Sequence, residues 1–129
     1  MNNIDFVVDT NILIDIFRAS PPAISWATQS RDARLGIPIP VWFEIVVGAR
    51  DATEQNRICK NLEAYEIIYL DNQAQELARD LFKTYRLSNG VGAPDCLIAA
   101  AAIGAGKPFC TLNEKHFSII PGLQVIRPY

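Results

Sequence analysis

Histidine, paired cysteine and long apolar runs are what this 129-residue chain has least of, and each shortage closes a class of function. His116 is the only histidine, so no multi-histidine metal centre can be assembled. Cys59, Cys96 and Cys110 are odd in number, lack C-x-x-C spacing and sit among apolar neighbours. They are expected to be buried free thiols in a reducing compartment. No apolar run approaches the roughly 20 residues of a membrane span, and Met1-Asn2-Asn3-Ile4-Asp5 has no basic lead-in to an apolar segment. A cytoplasmic location is the expectation. Positive charge is not in excess either: the net charge is -2, which argues against a protein that coats nucleic acid by neutralising phosphates. An enzyme whose own acids are covered by bound cations remains compatible with that balance.

What is present is an ordinary globular composition, 50% hydrophobic and 20% charged, in a chain long enough for a core without staples. One domain over residues 1–129 is expected. Phe6-Val7-Val8 is a short apolar strand that ends on Asp9 and restarts at once as the apolar helix 11–18. Ser20-Pro21-Pro22 breaks the chain before a helix over 23–30. A strand over 34–39 leads into a helix with Pro40 in its first turn, and that helix holds Glu44. Helices are expected over 53–65 and 72–86, with a strand over 67–70 between them. Pro94 opens a small-residue helix to Gly104, followed by strands at 109–111 and 123–126. Five strands separated by helices give α/β class and a mostly parallel sheet between helical layers.

Three acids stand where acids are expensive. Asp9 at the end of an apolar strand is either an N-cap or a ligand. Glu44 follows Val41-Trp42-Phe43 and precedes Ile45-Val46-Val47, so it either reaches a polar cleft, faces solvent from the helix edge, or pays for desolvation. Asp95 lies in the first turn of an otherwise apolar helix, where the macrodipole favours an anion. Parallel topology places such positions on one edge of the sheet, and converging carboxylates need hard cations, of which Mg2+ suits a few carboxylates plus waters.

Asp9-Thr10-Asn11-Ile12-Leu13, Glu44 in its apolar helix, Pro94-Asp95-Cys96-Leu97-Ile98-Ala99-Ala100-Ala101-Ala102, Thr111-Leu112-Asn113-Glu114-Lys115-His116-Phe117 and the tail Ile120-Pro121-Gly122-Leu123 come in one order along the chain. That order resembles PIN-domain ribonucleases, and the length resembles the VapC-type toxins of toxin-antitoxin pairs. The resemblance implies a PIN-like three-layer α/β/α sandwich. It implies Asp9, Glu44 and Asp95 as ligands of Mg2+, with Mn2+ a possible substitute, and Thr10 and Asn11 in support. Asn113 takes the fourth catalytic position, where many relatives carry an acid; Glu114 beside it is the other candidate. An amide orients water but adds no charge, so fewer protein bonds are expected at any second metal.

The implied activity is Mg2+-dependent hydrolysis of RNA phosphodiesters by a metal-activated water. The implied partners are RNA, a cognate antitoxin and a second copy of the chain. Arg50, Arg79, Lys83, Arg86, Lys107 and Lys115 are the candidate substrate bases, and Ile14, Phe17, Ile24 and Trp26 the candidate partner surface. His116 is expected to be a packed or surface residue outside the acidic site, and Asp5, Asp15 and Asp71 to lie outside it as well. Two other readings remain at this point. A phosphoacceptor receiver module would use Asp9, Asp71 and Lys107 but leaves Glu44 and Asp95 unexplained, and a catalytically degenerate PIN fold would act as a binding protein only.

Overall fold

In the computed structural model, which describes residues 3–129, five parallel strands form one sheet in the order β3-β2-β1-β4-β5. Met1 and Asn2, on which part of the amino-terminal reading rests, lie outside the described residues. The strands are β1 (Phe6–Val8), β2 (Leu35–Pro38), β3 (Glu66–Ile68), β4 (Phe109–Cys110) and β5 (Val125–Ile126). The helices are α1 (Thr10–Phe17), α2 (Pro21–Gln29), α3 (Ile39–Val46), α4 (Ala52–Leu62), α5 (Asn72–Asn89), α6 (Ala93–Ala105) and α7 (Glu114–Phe117).

The topology decides where a ligand can bind. From β1 the chain steps outward to β2 and β3, then crosses back to the other side of β1 for β4 and β5. The direction of winding therefore reverses between β1 and β4. Right-handed crossovers then carry the helices that follow β3 to the opposite face, and a crevice opens at the carboxyl ends of β1 and β4. The register is Val7 beside Phe109 and Val8 beside Cys110, so the next residues, Asp9 and Thr111, meet across that crevice.

Burial follows position in the sheet. Val7, Val8, Ile37 and Phe109 on the inner strands are fully buried, joined by Ile12, Leu13, Val41 and Ile98 from the helices. Ala99 to Ala102 of α6 are buried too, and their small side chains let that helix lie close against its neighbours. Gly36 in β2 lets Ile4 pack close: a Cβ there would stand 2.6 Å from the Ile4 Cδ1, and that side chain would have to shift.

The elements depart from expectation mainly at their ends. Helix α4 starts at Ala52 and ends at Leu62, short of the expected 65, and Asp51 caps it, its carboxylate accepting from the Glu54 amide at 2.8 Å. Helix α5 runs a turn beyond Arg86 and stops only at Gly90, whose φ of +69° is open to glycine without strain. Residues 114–117, for which no element was expected, form the short helix α7. The sheet is wholly parallel rather than mostly so.

Candidate active site

Asp9 is built into the β1–β4 seam. Its backbone N–H donates to the Cys110 carbonyl at 3.0 Å, extending the ladder by one residue, while its extended φ and ψ make it the N-cap of α1. One carboxylate oxygen accepts from the Thr10 amide at 2.8 Å and the other from the Thr111 hydroxyl at 2.7 Å. The residue is only 7% exposed. Capping and a further role are therefore compatible, because each oxygen keeps a free lone pair.

Thr111 is the centre of this seam, and sequence reasoning quoted it without giving it a role. Fully buried, it donates to Asp9, while its hydroxyl oxygen accepts from the Asn113 amide at 3.0 Å and from the Asn11 side chain at 3.4 Å. Asn11 also accepts from the Leu112 amide at 3.3 Å, tying α1 to the loop after β4. Arg127 braces the same loop, donating to the Leu112 carbonyl at 3.0 Å.

Glu44 and Asp95 approach Asp9 from other elements. The Thr10 hydroxyl donates to a Glu44 carboxylate oxygen, linking α1 to α3. The burial that the apolar neighbours of Glu44 suggested is not found: it is exposed at the helix edge, so the desolvation argument does not apply to it. Asp95, in the first turn of α6, is partly exposed, and one of its oxygens lies 2.8 Å from the His116 Nε2. That contact corrects the expectation for His116. The single turn of α7 swings residue 116 back towards the start of α6, a closure over 21 residues that local pattern does not reveal.

Electrostatics ties the three acids together. Burial pushes the Asp9 carboxyl above its ordinary range, the bonds from Thr111 and Thr10 pull it part way back, and the negative charges of Glu44 and Asp95 push it up again. Among the described residues neither ion pair involves Asp9: one joins Arg50 to Glu54 and the other His116 to Asp95.

Asn113 takes a different position. It is exposed at the cap of α7 without a side-chain capping bond, and it enters the seam through its backbone amide. Glu114 is exposed as well. Asp5, Asp15 and Asp71 are held elsewhere, by the Arg34 amide, the Tyr129 hydroxyl and the Ala74 amide respectively. Asp71 thus caps α5, which leaves the receiver reading without its phosphoacceptor arrangement. Of the candidate bases, Arg50 is engaged by Glu54 and Arg86 lies over the Phe82 ring.

Among the described residues no three histidine, cysteine or acidic side chains stand close enough, as they lie, to enclose an ion. The donor chemistry nevertheless fits a hard divalent cation. A nearly buried carboxylate without a cationic partner faces two further carboxylates, and Glu44 and Asp95 each have one oxygen outside their bonds to Thr10 and His116.

Fold and site together define a doubly wound parallel α/β domain with the acids Asp9, Glu44 and Asp95 at its switch point. Residues 6–122 match the PIN domain family, and the chain belongs to it. It is similar to the Ribonuclease VapC of Rickettsia bellii, 29% identical over 128 residues and 93% of each chain. It also resembles the toxin-antitoxin complex from Klebsiella pneumoniae, with a TM-score of 0.80, 30% identity, and 97% and 98% of the two chains covered. VapBC-1 from nontypeable Haemophilus influenzae shares the fold at a TM-score of 0.81 and 22% identity, over 97% and 98% of the two chains.

Proposed function

We propose that this chain is a Mg2+-dependent endoribonuclease acting as the toxin of a toxin-antitoxin pair. The observation that carries the proposal is Asp9, a carboxylate held by two threonine donors at the switch point, with no ion-pair partner among the described residues and with two more acids acting on it. The ribonuclease name of the Rickettsia bellii relative supports RNA as substrate, and the Klebsiella pneumoniae complex supports a cognate antitoxin as partner.

Asp9, Glu44 and Asp95 would hold the cation. When bound, Mg2+ supplies Lewis acidity at a phosphoryl oxygen and lowers the pKa of a nucleophilic water. Thr111 and the Thr10 amide fix the Asp9 carboxylate so that it needs no reorganisation. Thr10 carries the same order to Glu44, and His116 restrains Asp95 from the other side. Asn113 completes the site by holding the loop after β4 and by offering an exposed amide to water or substrate.

The reading extends to residues 1–129 as one domain, to a cytoplasmic location, and to assembly with a second copy as well as with antitoxin. No helix among the described residues is long and apolar enough to cross a membrane. Purified protein should cleave single-stranded RNA with Mg2+ and lose that activity with EDTA or in Asp95→Ala. Equal cleavage by wild type and Asp95→Ala would mark a contaminant and leave a binding protein.

A further inference from the structure

A cavity of about 500 Å³ opens directly beside Glu44. Phe43 and Glu44 of α3 form one wall, Tyr69 beyond β3 and Gln75 of α5 another, and Pro94 and Leu97, on either side of Asp95, close it. Phe43 is 61% exposed and Tyr69 72%, so two large aromatic side chains lie bare on one cavity. Isolated exposed apolar residues need no explanation, but adjoining ones at the mouth of a pocket mark a binding surface.

The polar groups narrow what that surface takes. Among the described residues no lysine, arginine or histidine lines the cavity, so these residues offer a phosphate no cation. Apart from the Tyr69 hydroxyl, Gln75 is the one neutral polar side chain among the described lining residues, and its Nε2 donates to the Leu70 carbonyl at 3.2 Å, which fixes the amide. One N–H and the carbonyl oxygen remain for a ligand. Ring faces with one oriented amide suit a flat, uncharged heteroaromatic group with donors and acceptors on its edge.

We propose that this cavity holds an unpaired nucleobase of the RNA strand, next to the phosphate at the acids. The proposal rests on the nuclease reading and deepens it. A nucleotide carries its charge on the phosphate and its π-face on the base, and the two halves of this edge are divided in the same way. Glu44 belongs to both, lining the cavity while acting electrostatically on Asp9. One strand can therefore place its phosphate at the acids and its base between Phe43 and Tyr69. Unpaired bases are recognised elsewhere by stacking on exposed aromatics, without cations at the base itself.

The test uses the full chain with Mg2+ and a random pool of single-stranded octaribonucleotides in which 4-thiouridine replaces uridine. Irradiation should crosslink Tyr69 or Phe43. In anisotropy titrations Tyr69→Ala and Phe43→Ala should each weaken binding by about fivefold to a hundredfold, and Tyr69→Phe should restore it. Both positions are exposed, so the variants should fold as wild type by circular dichroism. Crosslinks mapping elsewhere overturn the proposal whatever the affinities do, and loss of self-association by sedimentation in Tyr69→Ala alongside them reassigns the face to a second copy of the chain. Cleavage is scored in the same samples. Asp95-dependent cleavage without pocket crosslinks sinks the base site alone, and pocket crosslinks without such cleavage sink the nuclease reading alone.

Discussion

The seam between β1 and β4 and the rim formed by α3 and α6 both carry acids, yet they are built in opposite ways. At the seam, Asp9 and Thr111 are buried and the Thr111 hydroxyl both donates and accepts. At the rim, Glu44 and Asp95 are more open and each makes one side-chain contact. A buried network rigidifies and is costly to break, whereas an exposed contact contributes little stability and can be exchanged for a ligand. On the proposed reading, the seam sets position and the rim adjusts to the ion.

That contrast breaks if substitutions on the two sides behave alike. The largest effect is expected for Asp9→Ala, with cleavage falling by about a thousandfold or more, the scale for losing one member of a group that acts as a unit. Glu44→Ala should approach that loss of activity with thermal stability unchanged, since the residue is exposed. If Glu44→Ala unfolds the protein, the rim is structural and the comparison fails.

Thr111→Val tests the seam from its centre. It leaves the Asp9 oxygen and two donors without their partner, so denaturant titration should show a loss of about 1–3 kcal/mol. Activity should fall with it, but less than in Asp9→Ala. A substitution with no stability cost would mean that water replaces the hydroxyl.

A smaller effect concerns pH in the absence of divalent cations. The folded-state pKa of Asp9 is raised above 3.8, so the fold favours its protonated form. The stability this provides is present below the unfolded value and is lost as pH rises through the raised one. The melting temperature of wild type in EDTA should therefore decline above pH 4 relative to Asp9→Asn. Parallel pH profiles would count against the unpaired charge. The smallest effect lies away from both regions: Ala19 holds φ at +56°, and Ala19→Gly should raise stability by no more than about 1 kcal/mol in the same titration.

Much of this was legible in the residues, for reasons that also set the limits. The strand that ends on Asp9, the parallel α/β class and the helices at α5 and α6 are written in local periodicity, and the acids stand out against apolar neighbours. The partners of those acids are not local. Thr111 reaches Asp9 across 102 positions and Thr10 reaches Glu44 across 34, so the seam required the β1–β4 pairing before it could be seen. Exposure escaped for a similar reason. Of the candidate partner surface, Ile14, Phe17 and Trp26 are half-buried against the core while Ile24 is exposed, and Phe43, Val47, Tyr69 and Leu87 are open as well, because the buried sides of short helices apolar on several faces could not be told from periodicity. His116 escaped because its contact with Asp95 spans 21 positions and depends on how α7 folds back.

Cation-dependent melting at neutral pH tests most directly whether Asp9 anchors the ion. Mg2+ at about a hundred times its dissociation constant should stabilise wild type by about 2.7 kcal/mol, raising its melting temperature by several degrees, while Asp9→Asn should show no shift. Equal shifts in the two proteins, or none in wild type, would contradict the account.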